Sequence, residues 1–161
     1  MNEQQESAKK TALRLIPYGL YVLGAADGND LAAGAVNWVT QTSFSPPLLA
    51  MGVKKDSSLY SILKRSGSFA LSFLASGQKD MAFAFFKPTD VHGEMINGHH
   101  FEQHETKAPI ISAAAAWVEG KIVGELDLGD HSCFVGEVTN AHVRTDGPML
   151  TLEECGVKYG G

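Results

Sequence analysis

A mainly β, antiparallel fold with a few short helices is predicted by three features of the sequence. Short runs of β-branched, aromatic and small apolar residues recur along the chain, as in residues 18–26, 48–53 and 132–145. Turn signals separate such runs: Asp27-Gly28-Asn29-Asp30, Leu128-Gly129-Asp130 and Asp146-Gly147-Pro148, in a chain with 17 glycines. Helical character is confined to short windows, clearest where Leu59, Ile62 and Leu63 recur at i, i+3 and i+4.

Taken in order, residues 1–10 are polar and read as a solvated or frayed start. Residues 18–26 form a first strand, which the Gly28 turn returns as a hairpin into a second strand over residues 32–40. The Pro46-Pro47 pair ends regular pairing, because proline cannot donate to a ladder. Residues 48–53 are continuously apolar and predict a strand buried on both faces. A helix then opens with Asp56 or Ser57 as its N-cap and closes at Gly67. Residues 68–74 place Phe69, Leu71 and Phe73 on one strand face, and residues 78–86 predict a second helix with Met81, Ala82 and Phe85 inward. The segment 87–107 holds His92, His99, His100 and His104 and reads as a polar surface excursion. Imidazole with carboxylate suits several divalent ions, but no clear helical periodicity supports a histidine pair at i, i+4 on one helix face. Residues 110–119 contain the alanine run 113–116, a helix-favouring sequence that its Ile and Trp flanks turn toward strand. Strands follow over 121–128 and 132–145, and a last short one over 149–152.

Neither repeats nor a linker interrupt the 161 residues, so one domain spanning 1–161 is expected, long enough for a substantial core. The net charge of -5, without a basic cluster, argues against a nucleic-acid partner. No apolar run approaches the ~20 residues of a membrane span, and the first residues lack the apolar stretch of a signal peptide. Cys133 and Cys155 have no metal-ligand spacing and read as free thiols of a reducing cytoplasm.

Three places could carry chemistry. The stretch Asn37-Trp38-Val39-Thr40-Gln41-Thr42-Ser43-Phe44-Ser45-Pro46-Pro47 passes from strand into hydroxyl and amide side chains. It is either an ordinary strand end or a donor-acceptor edge for a planar ligand. The helix opening at Ser57 leaves backbone N–H groups unpaired at the positive end of the dipole. With Ser57, Ser58 and Lys54 or Lys55 nearby it is either a routine cap or a phosphate site. His131 follows a turn and is by pattern a surface or packing residue. No Ser-His-Asp or Cys-His arrangement suggests hydrolysis, and no G-x-G-x-x-G supplies a Rossmann site.

Two blocks, Trp38-Val39-Thr40-Gln41 through Ser43-Phe44 to Pro46-Pro47 and Gly129-Asp130-His131 with its following strand, resemble the flavin reductase-like family. The resemblance runs over residues 18–150 and implies an FMN-binding split β-barrel, antiparallel and Greek-key-like. It also implies an oxidoreductase that takes electrons from NAD(P)H, as a transient donor, and passes them to flavin, ferric complexes or a redox partner. An electron carrier reduced by another protein, or a flavin-binding module without turnover, are the alternatives. Position by position, the family pattern sets Trp38, Val39, Thr40, Gln41 and Ser43 toward the isoalloxazine and ribityl chain. It sets Lys55, Ser57 and Ser58 toward the phosphate, Phe86 at the cofactor's margin, and His131 beside the nicotinamide as the catalytic candidate. It implies a homodimer and no resident metal. The chain departs from the family at Leu152-Glu153-Glu154-Cys155, where an aromatic-rich strand is usual, and in its histidine-rich excursion.

Overall fold

The computed structural model describes residues 1–161. Its framework is an antiparallel sheet of seven strands, ordered β2-β1-β5-β10-β11-β4-β3. These are β1 (Tyr21–Asp27), β2 (Asp30–Val36), β3 (Val39–Ser43), β4 (Leu48–Lys54), β5 (Ser68–Phe73), β10 (Ala116–Leu126) and β11 (His131–Val143). The β1–β2 hairpin turns where expected: Asp27 faces Asp30, and Gly28 takes the positive φ of 58° that the first turn position requires. The sheet's edge strands, β2 and β3, are consecutive in the chain, so the chain crosses from one edge to the other through Asn37 and Trp38. This corrects the single strand expected over 32–40. Asn37 is buried and Trp38 lends its carbonyl to the Gly52 N–H at 2.8 Å, so each half pairs with a different neighbour.

Helix α2 (Ser58–Ser66) matches its sequence signature at both ends. Ser57 is the N-cap, and Gly67 ends the helix in the left-handed region at φ 65°. Its buried Leu59, Ile62 and Leu63 close one core with Leu23, Met51, Phe69, Leu71 and Phe134 from the inner sheet face. Each large side chain buried completely there contributes about 1.5–3 kcal/mol. Strand β4 is buried on this face only. Met51 and Val53 are covered while Leu48, Leu49 and Ala50 stay half-exposed, so the expected two-sided burial is not found.

A second core lies on the opposite face of β1 and β2. Val22, Ala33 and Leu20 meet Leu74, Phe85 and Ile96 there, with Leu150 and Leu152 from the chain's last segment. Helix α3 (Lys79–Ala84) and a small sheet of β6 (Val91–His92), β7 (Met95–Ile96), β8 (His99–Glu102) and β9 (Ile110–Ile111) build this layer. The excursion is therefore anchored by Ile96 rather than lying wholly on the surface. Residues 110–119 are not one strand: Ser112 and Ala113 turn between β9 and β10, the Ala114 N–H closes that turn on the Ile111 carbonyl at 3.0 Å, and the Ala115 N–H donates to the Phe73 carbonyl at 2.9 Å. Residues 149–152 make only isolated bridges, Gly19 to Thr151 and Ala75 to Met149. The start of the chain is not frayed but forms α1 (Glu3–Arg14), fixed by a capping box between Asn2 and Gln5 and burying none of its residues.

One carboxylate is fully buried. Glu119 accepts from the Glu105 and Thr106 N–H groups, the Thr106 hydroxyl and Asn140 Nδ2, at 2.6–3.1 Å. Burial pushes its carboxyl up, and these hydrogen bonds more than offset it, holding it below the usual carboxylate range.

Candidate functional site

A cleft of about 660 Å³ opens between the start of α2, residues 33–36 of β2, the Phe86-Lys87-Pro88-Thr89 stretch and the chain's last residues. Its walls follow from the fold. The hairpin supplies small residues that leave room, and Thr89 ties the excursion to β2 by exchanging hydrogen bonds with the Ala33 N–H and carbonyl at 3.1 and 3.2 Å. The Phe85 carbonyl accepts the Ala35 N–H at 3.0 Å, which fixes Phe86 at the cleft rim, half exposed.

The start of α2 turns unpaired donors toward the cleft. The Ser58 and Leu59 N–H groups have no acceptor within the chain, and the Ser58 hydroxyl is free. Ser57 also lines the cleft, but its hydroxyl is committed: it donates to the Lys54 carbonyl at 2.7 Å and accepts the Tyr60 N–H at 3.1 Å. Of the two lysines, Lys54 reaches the cleft wall, partly balanced by Asp56 at 3.5 Å, and Lys87 joins it from the excursion. Lys55 does not line the cleft. Its ammonium pairs with Asp127, whose carboxyl is held below the usual range by that hydrogen bond.

His131 lines the cleft beside the helix start, cross-strand from Lys54, with both ring nitrogens engaged. Nδ1 lies 2.8 Å from Asp130 Oδ1 and Nε2 lies 2.6 Å from the Tyr159 hydroxyl. The imidazole holds the Asp130 carboxyl below the usual range, and burial raises the Tyr159 phenol. Trp38 backs the imidazole, their ring centroids 4.6 Å apart, and also meets Tyr159 at 5.3 Å. The indole lies over Gly52, where a Cβ would come within 3.1 Å of it, so glycine allows the close approach. Trp38 Nε1 is buried without a partner.

The residues expected to meet a planar ring are thus divided. Trp38 does not line the cleft but backs three residues that do, Gly52, His131 and Tyr159. Val39 packs against the barrel core, Thr40 and Gln41 are exposed on edge strand β3, Ser43 is half-buried, and none of the four lines the cleft. Ser57, Ser58, Phe86 and His131 do line it. Sequence reading passed over Lys87, Thr89 and Tyr159, which nothing in local pattern marks, and left Lys54 as an alternative to Lys55. In the excursion, His92 pairs with Asp90 and His104 with Glu102, and no three metal-ligating side chains converge. No helix is long and apolar enough to cross a membrane.

The fold thus sets a helix start with unpaired N–H groups beside a held imidazole in one cleft. Residues 13–157 match the family described as "Flavin reductase like domain". The chain belongs to this flavin reductase-like family of flavin-binding oxidoreductases. It is 30% identical to a ferric-chelate reductase (NAD(P)H) of Archaeoglobus fulgidus over 144 residues, covering 86% of this chain and 83% of that protein. The flavin reductase component of a bacterial two-component tryptophan halogenase superposes with a TM-score of 0.79 at 26% identity, over 97% of both chains. A Streptomyces globisporus NADH:FAD oxidoreductase superposes with a TM-score of 0.74 at 27% identity, over 89% of this chain and 85% of that one. Longer relatives also match: the chain spans 24% of a Synechocystis diflavin flavoprotein.

Proposed function

We propose that the protein is an FMN-dependent reductase that takes a hydride from NAD(P)H and delivers electrons to free flavin, a ferric complex or a redox partner. The helix start carries this reading. It offers one set of phosphate donors, the Ser58 and Leu59 N–H groups with Lys54 and Lys87 beside them, and a monophosphate needs one set. A bound flavin supplies the two-electron acceptor for the hydride. The protein's own residues hold and orient: the helix start fixes the phosphate end, the small residues of β2 give a flat wall, and His131 lines the cleft cross-strand from Lys54, where a nicotinamide would approach.

The expected assembly is a homodimer, in which the exposed Thr40–Gln41 edge and the unpartnered Trp38 Nε1 meet a second copy or its ligand. Two free thiols, Cys133 and Cys155, suit a cytoplasmic setting.

The test has two parts. Acid release and chromatography of the cofactor is expected to give FMN, and stoichiometric FAD would refute that assignment. Anaerobic stopped-flow mixing of FMN-loaded protein with NADH and with NADPH is expected to bleach the flavin within seconds. A flavin that neither donor reduces would leave only a carrier role.

A further inference from the structure

We propose that Tyr159 is a positioning residue for His131, its phenol holding the imidazole in one tautomer and one orientation in the cleft. The inference rests on the reductase reading for its consequence, but not for its geometry.

The hydrogen-bond inventory decides the tautomer. Asp130 is a carboxylate, which only accepts, so Nδ1, 2.8 Å away, carries the proton. With a single proton on the ring, Nε2 is then an acceptor, and the donor facing it is the Tyr159 O–H at 2.6 Å. Nδ1–H is the form an isolated imidazole in water favours less, so the pair of partners selects it. Orientation is fixed as well: Trp38 covers one face at 4.6 Å, and Tyr159 meets the ring edge-on at 5.7 Å and 71°.

Tyr159 is itself placed from elsewhere in the chain. Its carbonyl accepts Asn37 Nδ2 at 3.3 Å, and the next carbonyl, of Gly160, accepts Arg14 Nε at 3.0 Å. Three segments far apart in sequence therefore converge on one imidazole: the β2–β3 crossing, the start of β11 and residues 157–160. Both His131 and Tyr159 line the cleft, so a ligand there meets a ring whose Nε2 is already taken. It can hydrogen-bond Nε2 only by displacing the phenol. Lys54, Asp56 and Asp130 are the charged groups that face this phenol.

Nitrogen NMR of the histidine-labelled full chain, as purified and after adding FMN, tests the geometry. In the wild type, the expected His131 signals are a protonated Nδ1 and a hydrogen-bonded, unprotonated Nε2. A protonated Nε2 with a bare Nδ1 would overturn the proposal without any variant. In Tyr159→Phe the Nε2 signal is expected to move while that of Lys158→Ala does not; an unmoved Nε2 signal in Tyr159→Phe overturns it too. Stopped-flow then tests the consequence. Tyr159→Phe should keep FMN affinity within about twofold and slow flavin reduction by about tenfold, as expected for loss of a group that orients another. An unchanged reduction rate would remove the positioning role. If the wild type itself is not reduced by either nucleotide, the reductase reading fails, and the nitrogen spectra alone decide whether Tyr159 holds His131.

Discussion

The first turn of α2 and the strand β3 both carry hydroxyl side chains suited to a polar ligand, yet the fold treats them oppositely. The helix start opens into the cleft with two unclaimed N–H groups, a free Ser58 hydroxyl and Lys54 beside it. Strand β3 lies at the sheet's edge, where Thr40 and Gln41 face outward and satisfy themselves locally. The Thr40 hydroxyl donates to the Gln41 carbonyl, and Gln41 Nε2 to the Ser43 carbonyl. The difference is between a local and a topological property. A helix start is an anion site because of its own backbone. An edge strand is a ligand surface only if the rest of the fold, or a second chain, brings something to it.

The largest effect is expected at the helix start. Lys54→Ala with Ser58→Ala should weaken FMN on the order of 100-fold, since two hydrogen bonds to a charged group are worth ~1.5–3 kcal/mol each. Riboflavin, which lacks the phosphate, should change by about threefold at most. Fluorescence titration of the flavin-free protein with each ligand measures both. Equal losses would place the phosphate elsewhere and erase the contrast between the two regions.

The same division explains what the sequence discloses. Helix α2 is legible to within one residue because the Asp56-Ser57 cap signal, the Leu59-Ile62-Leu63 spacing and Gly67 are all local. The hairpin at Gly28 is legible for the same reason. The crossing at Asn37-Trp38 is not, since residues 32–40 look like one continuous strand and only the sheet order splits them. The turn at Ser112 and Ala113 is hidden likewise, the chain leaving it being held at Ala115 by the Phe73 carbonyl from β5. Nothing local marks Glu119 as buried, since residues 105, 106 and 140 gather around it from distant segments. In the site, Ser58 and His131 were readable from position in a motif. The choice of Lys54 over Lys55 depended on Asp127, and Tyr159 on the path of the last segment.

A middle-sized effect separates capping from ligand contact. Ser57→Ala removes the N-cap, a loss of about 0.5–2 kcal/mol. That corresponds to a fall in Tm of roughly 1–8 °C for a chain of this size. Because its hydroxyl is occupied by Lys54 and Tyr60, FMN affinity should drop only about two- to fivefold. Differential scanning calorimetry beside the flavin titration resolves the two. An unchanged Tm with a tenfold loss of FMN would make Ser57 a ligand rather than a cap. Lys55→Ala should change FMN affinity by less than about twofold, because its partner is Asp127 and exposed ion pairs contribute little.

The smallest effect is expected at β3, and it is the most informative about assembly. Within one chain, Thr40 and Gln41 lie outside the cleft, so Thr40→Ala with Gln41→Ala should leave FMN and riboflavin affinities within about twofold of the wild type. Loss of local side-chain hydrogen bonds on an exposed edge costs little, since water replaces them. A second copy changes the arithmetic. If β3 of one chain lines the cleft of another, both ligands should weaken together, because both present the same ring. The loss should then grow as the protein is diluted and the dimer separates. Titrations at two protein concentrations, paired with light scattering, distinguish these cases. A joint loss above about tenfold that tracks dimer content would show that the edge strand is a binding element completed by assembly. A joint loss independent of concentration would mean that β3 reaches the ligand within its own chain, and the contrast with α2 would fall.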